Sequence, residues 1–342
     1  MSSQKVLYLE KPKGSFVVSD APVLKPGPGQ LSVKVISVAL NPLDWKIQAS
    51  DFFVAKYPAI LGTDLAGEVT EIGEGVLGFS RGDKVFFLGF PSNDLAGFQQ
   101  YTLIPADIVG KIPSNIDFDE AATIPLAFTT AAIGLMASTN AGLDPNFELK
   151  RKYTGQAAVV YGGSTSIGQQ AIQILRLLGY SKIITGASAQ HTDFLKSLGA
   201  TDVIDRGQVP TEKFAETARK MAGGPIKIVF NSVMDGGKST AACLDTLDEG
   251  GVVADVDPDS AGDVGNGKKR SAIFGSSHTP ENREFARKYW KVLPKLIQEG
   301  AIVPNRVEKV PNGLAGIAGG LQKLKSNQVS GVKLVANPQD TG

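Results

Sequence analysis

The sequence predicts an α/β chain, in which a β-rich first third is followed by a doubly wound parallel sheet. Three observations predict it. Residues 156–161 (QAAVVY) form a short apolar run of the kind buried on both faces of a sheet, and strand-like and helix-like segments alternate from there to about residue 255. A glycine-rich turn, Gly162 to Gly168, sits between the first of those strands and the first helix. Before residue 120 the segments are shorter, alternate polar with apolar, and are broken by glycine and proline.

In chain order, residues 31–38 (LSVKVISV) alternate as a half-buried strand does. Residues 65–72, 84–90 and 98–104 are further strands, separated by Pro26-Gly27-Pro28-Gly29, by 73–78 and by Arg81-Gly82-Asp83. Short strands with frequent turns predict an irregular barrel or sandwich. Ile167, Ala171, Ile174, Leu175 and Leu178 lie on one helical stripe, and Gly179 supplies a stop. Strands at 182–185, 202–205, 226–230 and 251–255 then alternate with helices at 192–198, 211–221 and 239–247. Residues 272–275 are expected as an edge strand, either paired across a dimer or unpaired, and 281–298 as a last helix. Lys268-Lys269-Arg270 reads as a solvated loop tip, and Cys243 as core.

Composition narrows the function. The chain has 342 residues, enough for about two domains. Its 35 basic and 34 acidic residues leave none of the excess that nucleic-acid binding requires. One cysteine excludes an intrachain disulfide and fits a reducing, cytoplasmic setting. With two histidines, His191 and His278, a Cys-rich structural zinc site cannot be built, and a His/Cys catalytic zinc site is disfavoured. No run of 18 apolar residues predicts a membrane span, and Met1 to Val6 carry no apolar signal core.

The turn at Gly162-Gly163-Ser164-Thr165-Ser166-Ile167-Gly168 is the strongest local motif. Gly162 permits a tight turn, Gly168 lets helix and strand approach, and the helix-start N–H groups suit a pyrophosphate. It departs from the strict G-x-G-x-x-G pattern: read from Gly163, the middle glycine is Thr165. A plain structural turn is the alternative. After the next strand, Thr185 to His191 contain no acid for a ribose 2′-hydroxyl. Ser188 can donate to a 2′-phosphate, with Lys196 or Arg206 to neutralise it, which favours NADPH over NADH. Alternatively Ser188 only caps the following helix.

Five ordered stretches carry a resemblance over nearly the whole chain: Asn41-Pro42-Leu43-Asp44-Trp45-Lys46, Gly62-Thr63-Asp64-Leu65-Ala66-Gly67-Glu68-Val69, Gly82-Asp83-Lys84-Val85, the Gly162 loop, and Ser330-Gly331-Val332-Lys333-Leu334-Val335. The chain resembles the zinc-free, quinone-oxidoreductase-like branch of the medium-chain dehydrogenase/reductases, and within it the fungal NADPH-dependent, trans-acting enoyl reductases. The resemblance implies a GroES-like β-rich catalytic domain (residues 1–124 and 278–342) and an inserted Rossmann dinucleotide-binding domain (125–277). It implies NADPH-dependent hydride transfer to an activated C=C bond. Reduction of aldehydes, ketones or quinones, or NADPH binding without turnover, are the alternatives. The implied substrate is a small enone, enal or quinone, or a carrier-tethered polyketide. Neither nucleic acid nor membrane is expected as a partner, and the protein would be a monomer or a homodimer.

In zinc-dependent relatives a cysteine stands at the Asn41 position and Gly-His-Glu at Gly62-Thr63-Asp64, so no metal is expected here. The resemblance puts Asn41, Asp44, Trp45 and Lys46 at the nicotinamide and substrate pocket. The alternative there is a structural loop in which Asp44 and Lys46 pair with each other or with neighbours. Asn41, Lys46, Tyr57 and Thr129 are the catalytic candidates. Gly162, Gly163, Ser164, Thr165, Ser166, Ile167, Ser188, His191, Lys196, Arg206, Asn231, Val233, Phe274, Gly275, Val332 and Lys333 are further cofactor candidates.

Overall fold

The computed structural model describes residues 2–258 and 262–342. The chain begins with β1 (Ser3–Leu9), β2 (Phe16–Pro22), β3 (Gln30–Ala39), helix α1 (Pro42–Ser50), β4 (Ala59–Ile60), β5 (Asp64–Ile72) and β6 (Lys84–Leu88). β7 (Tyr101–Pro105), β8 (Val109–Lys111), α2 (Phe118–Ala122) and α3 (Pro125–Met136) follow. The middle holds β9 (Ala157–Tyr161), α4 (Ser166–Leu178), β10 (Lys182–Ala187), α5 (Thr192–Leu198), β11 (Asp202–Asp205), α6 (Thr211–Ala222), β12 (Ile226–Asn231), α7 (Lys238–Thr246) and β13 (Val252–Asp255). The remainder is β14 (Gly262–Asp263), β15 (Lys269–Ala272), α8 (Pro280–Gln298), β16 (Val307–Val310), α9 (Gly313–Lys325) and β17 (Lys333–Ala336).

Contacts divide the chain into two units: Met1–Leu126, Trp290–Gln298 and Pro304–Gly342, and Ala127–Tyr289 with Glu299–Val303. Residues 125–126 thus group with the first unit. Residues 278–289 group with the second, because Tyr289 on α8 packs its ring against Phe128 of α3 at 5.6 Å.

The first unit is β-rich. One sheet has the order β2-β1-β4, the other β16-β17-β3-β5-β6-β8 with β7 also on β3. β3 supplies Leu31, Val33, Val35, Val38 and Ala39 to the core, all fully buried. The segment after it, which can be read from the sequence as a loop, is the first turn of α1. Pro42 fits the first helical position, and the Asp44 carboxylate accepts the Asn41 N–H at 2.8 Å.

The second unit is a seven-stranded sheet of order β11-β10-β9-β12-β13-β15-β14, parallel except for β14. Leaving β14 aside, the order reverses between β9 and β12, where the ends Tyr161 and Asn231 lie in register. Such a switch point opens a crevice at the carboxyl ends of the strands. α6 closes one face by seating Phe214 and Ala218 against Val159, Ile184 and Val229.

Two expectations are corrected here. The strand expected at 272–275 lies earlier, at Lys269–Ala272, and pairs on both sides within the chain, with β13 and β14. Arg270 is not part of a solvated tip: it is 6% exposed, and its Nε donates to Asp255 at 2.7 Å. Strand alternation turns Arg270 inward, where Asp255 waits on the neighbouring strand.

Phe214 meets the Tyr161 ring at 4.7 Å and is almost fully buried. Phe214→Ala is expected to cost about 3–5 kcal/mol through lost burial and a cavity. Urea unfolding read by circular dichroism checks this; a loss below about 1 kcal/mol contradicts the packing argument.

Candidate cofactor and active-site residues

The glycine loop of the second unit, Gly162 to Gly168, is built by its own residues. Gly162 has φ +84, and a Cβ there would come within 2.6 Å of Ser232 Oγ and Val233 Cγ2. At Gly168 a Cβ would meet the Gly162 carbonyl oxygen at 2.3 Å, so the first turn of α4 can lie on the loop only with glycine there. Thr165, in the place of the expected glycine, is the N-cap: its Oγ1 accepts the Gly168 N–H at 2.9 Å. The start of α4 presents the positive end of the helix dipole to this loop, an arrangement that suits an anion. Gly163 N–H instead donates to Gly186 O, tying the loop to β10.

Beyond β10, Ser188 and Arg206 come together, with Arg206 Nε donating to Ser188 Oγ at 2.8 Å. Asp205 ends β11 in register with Ala187, yet its Oδ1 is taken by the N–H groups of Ala189 and Gly207. Ser188 makes no side-chain cap to the following turn. Lys196 is exposed on α5, and among the described residues it makes no hydrogen bond or ion pair to Ser188 or Arg206. His191 is buried at the start of α5, its Nε2 3.4 Å from Gln190 Nε2.

At the switch point Asn231 is fully buried. Its Oδ1 accepts the Val233 N–H at 3.1 Å, and its Nδ2 donates to Asp255 Oδ1 at 2.9 Å. Ser232 Oγ lies 2.7 Å from the Tyr161 carbonyl and 2.8 Å from that of Gly162, and it accepts from Thr165 Oγ1 at 2.9 Å. The 231–233 turn is therefore bonded to the glycine loop. Thr129, also fully buried, shares a hydrogen bond with the Tyr289 hydroxyl at 2.9 Å, and that hydroxyl lies 2.6 Å from Ser277 Oγ. Phe274 is about half exposed, and Gly275 backs onto Thr130.

The first unit carries the Asn41 group. Asp64 at the start of β5 and Lys333 at the start of β17 form a buried ion pair, Nζ to Oδ2 2.5 Å. Lys333 Nζ also donates to Asn41 Oδ1 at 2.9 Å, and Asn41 Nδ2 donates to Asp64 Oδ2 at 2.9 Å and to Ala39 O at 3.4 Å. Asp64 Oδ1 takes the Leu126 N–H at 2.5 Å. Val332, the residue before this lysine, is half-buried. Asp44 lies beside this cluster, wholly buried. Burial pushes its carboxyl up to about 7, Asp64 adds to the rise, and the Asn41 and Gly62 backbones and Lys333 offset part of it. Asp44 is bonded to its neighbour Asn41, as the structural-loop alternative allowed, and Lys46 Nζ stands 5.7 Å from the centre of the Trp45 ring. Tyr57 donates to Asp51 Oδ1 at 2.7 Å; desolvation and that carboxylate push its hydroxyl up to about 12.

Residues 27–114 match the alcohol dehydrogenase GroES-like domain, and 166–257 the zinc-binding dehydrogenase family. A dehydrogenase of Aspergillus niger is 33% identical over 334 residues, spanning 94% of this chain and 95% of its own. The chain belongs to the medium-chain dehydrogenase/reductase family. A trans-enoyl reductase of Alternaria alternata is 30% identical over 354 residues, 98% of this chain and 99% of that one. The solved structure of an alcohol dehydrogenase superfamily protein from Novosphingobium aromaticivorans is 26% identical, with a TM-score of 0.79 over 97% of this chain and 99% of the other. The protein is thus an oxidoreductase of this family, and its fold implies a nicotinamide cofactor.

Sequence reading missed several partners that hold this oxidoreductase's candidate residues. Asp64 and Lys333 were visible as motif members, but not as a pair 269 positions apart in sequence. The signal was a lone lysine opening the apolar run Leu334-Val335-Ala336, which requires an acid nearby. Asp255 and Tyr289 gave no comparable local signal.

Two outcomes follow. Lys333→Met leaves Asp64 buried without its cation and is expected to cost about 3–5 kcal/mol in urea unfolding, while the double variant Asp64→Asn/Lys333→Met recovers most of it. A carboxyl whose folded value exceeds its unfolded one binds its proton more tightly when folded. The stability Asp44 contributes is therefore complete below about pH 4 and lost as pH rises through about 7. The stability of the wild type relative to Asp44→Asn should fall across that window, by on the order of 4 kcal/mol at most, and level off above it. A flat difference from pH 4 to 8 removes this account.

Proposed function

We propose that the protein is an NADPH-dependent, zinc-independent reductase of activated C=C bonds in enones, enals or enoyl thioesters. The carrying observation is the Lys333 ammonium between Asn41 and Asp64. Zinc-dependent relatives hold their metal at the Asn41 and Thr63-Asp64 positions. Here the donors are an amide, a hydroxyl and a carboxylate already paired to a lysine. They do not fit zinc: a divalent cation would face a like charge and lacks a thiolate or imidazole. The names of the trans-enoyl reductase relatives support C=C over C=O as the reacting bond.

Bound NADPH would supply hydride to the β-carbon. The chain's own residues bind and orient. The loop 162–168 and the start of α4 would take the pyrophosphate, and Ser188 with Arg206 the 2′-phosphate. Arg206 already points its Nε at Ser188 Oγ, so a phosphate there would receive a guanidinium and a hydroxyl together. The 231–233 turn and the Phe274-Gly275 backbone would border the nicotinamide. Asn41 spends its amide hydrogens on Asp64 and Ala39, so in this reading it fixes the corner and does not donate to the enolate oxygen. In this reading the proton returning to the α-carbon comes from water, because Tyr57 already gives its hydroxyl hydrogen to Asp51.

The test is NADPH oxidation with a panel of enals, enones and quinones, with product analysis for an enal. A saturated aldehyde is expected; allylic alcohol as the sole product overturns the C=C reading, and no turnover of any acceptor overturns the reductase reading. Arg206→Ala is expected to weaken NADPH binding roughly 10- to 100-fold, the loss of one charge-assisted contact, with NADH binding nearly unchanged. Equal loss for both cofactors contradicts the 2′-phosphate assignment.

A further inference from the structure

The second unit holds a buried ion pair for which the cofactor reading has no use. Asp255, at the end of β13, is fully buried and saturated. Its Oδ2 accepts Arg270 Nε at 2.7 Å and Thr240 Oγ1 at 2.8 Å; its Oδ1 accepts Asn231 Nδ2 and the Asp257 N–H, each at 2.9 Å. Arg270 also donates from Nη2 to the Asp257 carbonyl at 3.0 Å. An ion pair taken out of water is a costly way to fill space, and apolar residues of similar volume would serve stability as well.

What the pair does uniquely is orient an amide. With a carboxylate on one side, Asn231 must turn its NH2 toward Asp255, so its Oδ1 must face the other way, where it holds the Val233 N–H. Ser239 fastens the same turn from α7, its Oγ accepting from Asn231 Nδ2 at 3.1 Å and reaching Val233 O at 3.3 Å. Ser232, between them, carries the bonding on to Gly162 and Thr165. We propose that Arg270 is a positioning residue for the nicotinamide side of the cofactor site, acting through Asp255 and Asn231 on the 231–233 turn. This rests on the cofactor reading above. Arg270 stands on β15, four strands from β10 and the Ser188–Arg206 pair, so its effect should fall on the turn and spare the 2′-phosphate end.

The test uses the full chain as wild type, Arg270→Lys and Arg270→Gln. Arg270→Lys keeps a cation but cannot give Arg's planar pair of N–H groups to Asp255 and Asp257, so it carries the test should Arg270→Gln fail to fold. Affinities for NADPH and for 2′-AMP, which holds the 2′-phosphate but no nicotinamide, are measured by titration calorimetry. Arg270→Lys should weaken NADPH roughly tenfold and Arg270→Gln more, with 2′-AMP within about twofold of wild type. Unchanged NADPH affinity, or parallel loss of both ligands, overturns the proposal. Amide hydrogen exchange of the free protein gives a readout without cofactor: residues 231–235 should exchange faster in the variants, and no rise overturns the coupling. A rise in variants of a wild type that binds no nicotinamide nucleotide overturns the cofactor reading and reduces the network to a structural one.

Discussion

The ion pair between Lys333 and Asp64 joins segments that the chain keeps far apart. Lys333 opens β17, Asp64 opens β5, Asn41 precedes α1, and Leu126 N–H belongs to the start of α3. All four meet around one buried carboxylate. A charge out of water requires a partner with good geometry, and here the requirement fixes where two strands and two helices begin relative to one another. The Asn41 amide has a determined orientation for the same reason: oxygen to the ammonium, nitrogen to the carboxylate. Asp44 then sits in a place where its own charge is unwelcome, which is why its proton is held to about neutral pH.

The second unit solves a related problem at its switch point. The backbone must turn sharply at Gly162 and again at 231–233, and the two turns are fastened through Ser232 and Thr165. Thr165 illustrates how a departure from a motif can preserve its geometry. A glycine there would leave the Gly168 N–H to find another partner. The threonine caps it, while the close approach of helix and loop is carried by Gly168.

The alternation of strand and helix between 156 and 255 was legible because buried parallel strands are continuously apolar and helices show a stripe. Helix α4 and strands β9 and β12 follow directly from that pattern. The tight turn of the glycine loop was legible because glycine occurs where only glycine fits. What stayed hidden depends on distance in sequence. Arg270 reads as one of three exposed cations until β13 and β15 pair and turn it toward Asp255. The first turn of α1 hides behind a short segment with little apolar periodicity, although Asn41, Pro42 and Asp44 spell its start. The Asn41 amide is committed by Lys333, which is 292 positions away, and no local pattern announces that.

Cys243 is the sole thiol of the chain, and it lies in the core of the second unit, without exposed surface, packed with Val229, Leu247 and Val253. Burial raises its proton affinity, with Asp255 and Asp235 adding to it, so it is both unreachable and un-ionised in the folded protein. An alkylating reagent added under native conditions can react only when this unit opens, and nothing in the first unit contributes signal. The chain thus carries an intrinsic, single-site chemical clock for the breathing of its dinucleotide-fold half, which any occupant that ties its loops together would slow.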